Sequence, residues 1–142
     1  MRVKASVILL FAAFSSIATI ATVEGATAED YRVSSSGSTP RLKKGTSGVL
    51  VLRLEALHGF HFSAQTPLLA SLSSSSGIAF PKRRLDRKDL ASSTSTILEW
   101  RTDYAARAPG QQEITADLVF FLCTENDCDR KSATYALAIS VE

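Results

Sequence analysis

The chain is poor in most residues that chemistry usually needs. It has two cysteines, two histidines, one tryptophan and one methionine. Two thiolates alone do not complete a zinc site, which takes four ligands. No second group of ligands stands elsewhere to complete one. No serine sits in a Gly-x-Ser-x-Gly elbow, which argues against a hydrolase of that type. A glycine-rich phosphate loop is also missing. Neither sign of charge dominates, with 16 basic residues against 14 acidic, so nucleic acid is not an expected partner. Beyond residue 28 no long stretch repeats at the helical period, which speaks against an all-helical fold. There is no internal repeat. Nothing in the sequence asks for a cofactor or a metal.

A long uncharged and mostly apolar run lies at the amino terminus. Arg2 and Lys4 precede residues 5–23, which are uncharged and mostly apolar. Small residues follow, with candidate cleavage sites at residues 23–25 and 26–28. That is the layout of a secretory signal peptide. Ser15, Ser16, Thr19 and Thr22 dilute the run as a membrane anchor. Neither cysteine lies near the candidate sites, so a lipoprotein anchor has no acceptor. We therefore expect residues 1–28 to be cleaved, leaving a periplasmic or secreted protein with no stable membrane insertion. Such compartments are oxidising, and disulfides persist there.

The remainder reads as short strands separated by turns. Residues 29–47 are polar and are expected to be a flexible lead-in, with a possible edge strand at residues 31–33. Residues 48–56 alternate cleanly: Leu50, Leu52, Leu54 and Ala56 share one face. The strand character continues through His58, Phe60, His61 and Phe62 around Gly59. Shorter strands are expected at residues 68–72, 78–80 and 96–101, with serine-rich turns at residues 73–77 and 92–95. Pro67 and Pro81 limit their neighbours, because proline cannot donate to a ladder. About seven to nine short antiparallel strands at this spacing predict an all-β, immunoglobulin-like β-sandwich. It would occupy residues 48–142, with Trp100 as its large core residue.

The stretch at residues 118–132, Leu-Val-Phe-Phe-Leu-Cys-Thr-Glu-Asn-Asp-Cys-Asp-Arg-Lys-Ser, holds both cysteines. A polar, turn-like segment separates Cys123 from Cys128. The reading is a β-hairpin with the cysteines opposed at its tip. In that register Phe121 faces Arg130, Val119 faces Ser132 and Asp117 faces Thr134. Ile114, Ala116, Leu118, Tyr135, Leu137 and Ile139 then gather on one apolar face, because side chains alternate along a strand. A slip of one residue would break this sorting. Directly opposed residues are close enough for a disulfide.

Phe-Phe-Leu-Cys-x4-Cys-x-Arg-Lys followed by a terminal strand resembles the immunoglobulin-like amino-terminal periplasmic domain of the membrane thiol–disulfide reductase DsbD, and especially its short stand-alone relatives. Gly59-Phe60-His61-Phe62 followed by Pro67 resembles a second motif of that group. The resemblance covers roughly residues 43–141. The cysteines here are one residue closer together than in the reductase domain. The resemblance implies that Cys123 and Cys128 are the exchanging, catalytic pair, and that the partner is a thioredoxin-like or other redox protein.

Read from the residues alone, the cysteine pair has three meanings: a static staple at a hairpin tip, a redox-active dithiol, or part of a metal site. The corresponding functions are an exported domain relaying electrons and disulfides to a partner protein, or a non-catalytic binding or structural module with an inert bond. His58 and His61, three residues apart on a strand, would point to opposite faces and not chelate together. A packed or hydrogen-bonded role suits them better; the resemblance, whose second motif includes His61, implies that His61 lies near the cysteines and modulates them. The charged run at residues 82–89 reads as a solvated loop with internal aspartate partners.

Overall fold

The computed structural model describes residues 30–142. The expected signal peptide at residues 1–28 lies outside the described residues. These form ten strands: β1 (Tyr31–Ser34), β2 (Arg41–Leu42), β3 (Ser47–Ala56), β4 (Leu69–Ser74), β5 (Ile78–Ala79), β6 (Arg84–Asp86), β7 (Leu90–Ser93), β8 (Ile97–Ala106), β9 (Gly110–Cys123) and β10 (Cys128–Val141). One 3-10 turn, Arg87–Asp89, joins β6 to β7. The strands make two sheets. One runs β1-β3-β8-β5, with β7 also paired to β8; the other runs β2-β10-β9-β4-β6. The sheets face each other across an apolar core, giving an immunoglobulin-like β-sandwich. Among the described residues no helix is long and apolar enough to cross a membrane.

The core follows from the alternation. Leu50, Leu52 and Leu54 on β3, Leu98 and Trp100 on β8, and Leu118, Phe120 and Leu122 on β9 are all buried. The rings of Tyr31 and Phe120 meet nearly perpendicular with centroids 5.0 Å apart, tying one sheet to the other. Trp100 is wholly buried, and its indole N–H donates to the Asp86 carbonyl at 2.9 Å. A buried indole needs such an acceptor, because an unpaired donor would keep its desolvation penalty.

The polar segment upstream of β3 belongs to the sandwich. β1 pairs antiparallel with β3, and Val33 is buried. Ser38 and Thr39 then continue along the same edge. Ser38 Oγ accepts from the Val51 N–H at 2.8 Å, and Thr39 Oγ1 accepts from the Val49 N–H at 3.1 Å. Hydroxyls thus stand in for a ladder strand, which is why so polar a sequence can be ordered here. β2 pairs parallel with β10, the one parallel pairing among the described strands. The charged run at residues 82–89 contributes β6, and the serines at residues 92–95 lie partly in β7. β3 ends at Ala56, so the chain turns where the sequence suggested a continuing strand.

Tyr104 is the second large aromatic wholly inside the core. Its hydroxyl donates to the Thr39 carbonyl, and its ring lies over Gly48, where a Cβ would come within 2.7 Å of it. Burial pushes the Tyr104 hydroxyl above its ordinary value of 10.0. The folded state therefore keeps a proton that the unfolded chain releases. That contribution is complete below about pH 10 and is lost as pH rises through the folded value. Tyr104→Phe should flatten this alkaline loss while costing about 1 kcal/mol at neutral pH. Urea unfolding of both proteins at neutral and strongly alkaline pH checks it.

Candidate functional site

The hairpin of β9 and β10 pairs over its full length in the register read from the sequence. Cys123 opposes Cys128, Phe121 opposes Arg130, Val119 opposes Ser132 and Asp117 opposes Thr134. The turn between the cysteines is closed by a bond from the Thr124 N–H to the Asp127 carbonyl, 2.8 Å long. Thr124 Oγ1 also accepts weakly from the Asn126 and Asp127 N–H groups, at 3.4 and 3.3 Å. A threonine that accepts from the backbone just ahead of it stabilises a tight turn.

Cys123 and Cys128 form a disulfide with Cα atoms 4.0 Å apart and an S–S distance of 2.06 Å. The two ends of this bond have different surroundings. Cys123 is 1% exposed, whereas Cys128 is exposed. Both sit on the outer face of their sheet, since Phe120 and Leu122 turn inward. Half-buried Phe121 and Val119 share that outer face, with Leu69 of β4 opposite Val119. The disulfide therefore borders an apolar patch on one side and an exposed turn on the other. Glu125, Asp127 and Asp129 give that end acidic groups, and Arg130 and Lys131 follow on β10.

A third strand-like segment completes the site. After β3 the chain reverses at His58 and Gly59, both in the left-handed region with φ of 54° and 83°. The Phe60 N–H donates to the Leu57 carbonyl at 3.1 Å, closing the turn. Glycine adopts this conformation freely; histidine does so at some cost. The reversal carries the chain from one sheet to the other. His61 then bridges Cys123: the His61 N–H donates to the Cys123 carbonyl at 3.0 Å, and the Cys123 N–H donates to the His61 carbonyl at 2.8 Å. Phe62 turns into the core, its ring edge-on to Phe120 with centroids 6.2 Å apart. Arg87 fastens the following loop, donating from Nη2 to the Ser63 and Thr66 carbonyls at 3.0 and 2.9 Å.

The two histidines thus part company. His58 is exposed in the turn and His61 stands in the cysteine row. Among the described residues no three His, Cys, Asp or Glu side chains converge to hold a metal. The basic run is engaged locally. Lys82 Nζ lies 2.7 Å from an Asp89 carboxylate oxygen, and Asp86 caps the 3-10 turn. Sequence reasoning had no signal for the Arg87 contacts or for the unequal exposure of the two cysteines. Both depend on segments that are distant in the chain.

No known family profile matches this chain, and no curated protein does. Among solved structures, AggA, the major subunit of aggregative adherence fimbriae type I from Escherichia coli, is similar at 11% identity and a TM-score of 0.40, over 82% of this chain and 98% of its own. The GAE domain of yeast GGA1 is similar at 15% identity and a TM-score of 0.37, over 79% of this chain and 95% of its own.

Proposed function

We propose that this chain is an exported thiol–disulfide interchange domain that passes electrons and disulfides to a partner protein through Cys123 and Cys128. The observation that carries this reading is the unequal pair: an exposed Cys128 bonded to a buried Cys123 on the outer face of a sheet edged by an acidic turn. A partner thiolate can approach the Cys128 end, form a mixed disulfide with it, and leave Cys123 as the internal resolving thiol. Half-buried Phe121 and Val119 offer the partner an apolar footing beside the bond. The similarity of the cysteine hairpin to the amino-terminal domain of DsbD supports the same reading. So does the secretory layout of residues 1–28, which suits a periplasmic or secreted protein meeting a thioredoxin-like partner.

Stability does not require this bond. Backbone pairing also joins the hairpin from Gly110 to Val141, and the sandwich has an extensive core. Closing so short a loop contributes only about 2 kcal/mol in the loop-entropy account. The competing reading, an inert staple in a binding module, makes the opposite prediction for the reduction potential. Structural bonds in secreted proteins lie below about −300 mV, and exchanging ones lie above. Equilibration of the pair with glutathione or a reference dithiol should place it above that boundary. A value below it would sink the exchange reading.

A further inference from the structure

We propose that His61 carries protons to and from the Cys123 sulfur during disulfide exchange. The proposal rests on the exchange reading above and adds a residue to it. Its basis is register. His61 and Cys123 exchange both backbone bonds, at 3.0 and 2.8 Å, as a hydrogen-bonded antiparallel pair. Residues opposed in this way project on the same side of a sheet, with Cα atoms about 5.5 Å apart. Phe62, the next residue, is buried against Phe120, which independently turns His61 to the outer face where Cys123 also points. Cys128, Cys123 and His61 therefore form one row across three neighbouring segments, with Cys123 in the middle.

The burial of Cys123 gives the row its chemical sense. On a face that is otherwise partly open to solvent, Cys123 is 1% exposed, flanked by Cys128 on one side and His61 on the other. A partner thiolate that attacks Cys128 Sγ forms a partner–Cys128 bond and breaks the Cys123–Cys128 bond. The electron pair of the broken bond stays on Cys123 Sγ. A buried thiolate is costly unless a positive group or a proton reaches it. Imidazole is the side chain that offers either near neutral pH. His61 is partly exposed, so its ring is within reach of solvent. The partner's second thiolate then attacks the partner's own sulfur and releases Cys128, which takes its proton from solvent. The partner dithiol is oxidised by two electrons and this domain is reduced to its dithiol. In the reverse direction His61 removes the Cys123 proton before that sulfur attacks.

His61 is held for this task from both sides. The turn at His58 and Gly59 fixes its approach, and Arg87 ties down the Ser63 and Thr66 carbonyls behind it. Other charged groups on the elements around the row are Arg130, on the same face of β10 as Cys128, with Glu125 and Asp127 in the hairpin turn, Asp129 and Lys131 on β10, and Arg87 behind the loop.

The test uses a Cys128→Ser protein, in which Cys123 is the single thiol, with and without His61→Gln. Circular dichroism confirms that the fold is kept; the bridge to Cys123 is backbone and survives the substitution. Ultraviolet thiolate absorbance followed against pH should show about tenfold less Cys123 thiolate at neutral pH in the Gln variant. In the two-cysteine protein, His61→Gln should slow reduction by a small dithiol at least about tenfold. Identical thiolate curves and identical rates overturn the role of His61 while leaving exchange intact. A wild-type disulfide that no dithiol or partner reduces overturns the exchange reading itself, and the role of His61 with it, whatever the thiolate curves show.

Discussion

Cys123→Ser should trap a mixed disulfide with a thiol partner, and Cys128→Ser should trap almost none. The asymmetry follows from burial. In Cys123→Ser the remaining thiol is Cys128, exposed at the start of β10 beside the turn. It can bond a partner cysteine, and the residue that would resolve that bond is gone. In Cys128→Ser the remaining thiol is Cys123, 1% exposed between the hairpin and the His61 segment. Thiol–disulfide exchange needs the attacking sulfur to reach the bond it breaks, so a buried thiol reacts slowly. Both variants should lose turnover completely, since each lacks half of the dithiol. Non-reducing electrophoresis reads the result, with each variant incubated with a thioredoxin-like protein that lacks its resolving cysteine and carries the other as a mixed disulfide with thionitrobenzoate, so that attack forms the protein–protein bond and releases thionitrobenzoate. Equal trapping by the two variants would mean that the exposure of the cysteines does not decide which one is attacked. An absence of trapping by either would favour the inert staple.

Trp100→Ala should bring the fold close to its limit of stability. Trp100 is wholly buried in the middle of β8, opposite Leu52 and flanked by β7 at Leu90. Truncating a buried tryptophan costs about 3–5 kcal/mol, because transfer energy is lost and a cavity remains. The Asp86 carbonyl loses its indole donor as well, and that can add about 1 kcal/mol or more. Small domains have only about 5–15 kcal/mol to lose. Thermal unfolding should therefore start roughly 10–20 °C lower. Trp100→Phe, which keeps a ring but not the donor, should cost markedly less. The indole bond also orients the end of β6 just ahead of Arg87, so the loss should reach the loop behind His61. A variant as stable as the parent would mean that the space left by Trp100 collapses without penalty.

The cysteine hairpin was legible in the sequence because its information is local. Turn-forming residues sit between two alternating runs, and a single register places Ile114, Leu118, Leu137 and Ile139 inside together. β9 and β10 adopt that register. The same alternation marked β3 and the inward side of β8, and it named Trp100 as a core residue. Elsewhere composition misled. The edge strand expected at residues 31–33 is β1, but the rest of residues 30–47, read as a flexible lead-in, also pairs with β3 and β10 through β2 and through hydroxyls. Charged residues 82–89 yield β6 and the Arg87 anchor. In both places backbone and side-chain hydrogen bonds, which leave no hydrophobic period, do the ordering.

What the sequence determined by itself was the sandwich, its inward faces and the meeting of the two sulfurs, since each depends on a period of two and a short connection. What only the tertiary structure decided was the environment of those sulfurs. A reversal at His58 and Gly59 sends the chain from one sheet to the other and lays His61 against Cys123, sixty-two positions further along. Burial of one cysteine and exposure of the other come from that crossing and from the end of the hairpin. Contacts made by packing distant segments together carry no trace in local periodicity, so the chemistry of the pair becomes visible only when the sheets are assembled.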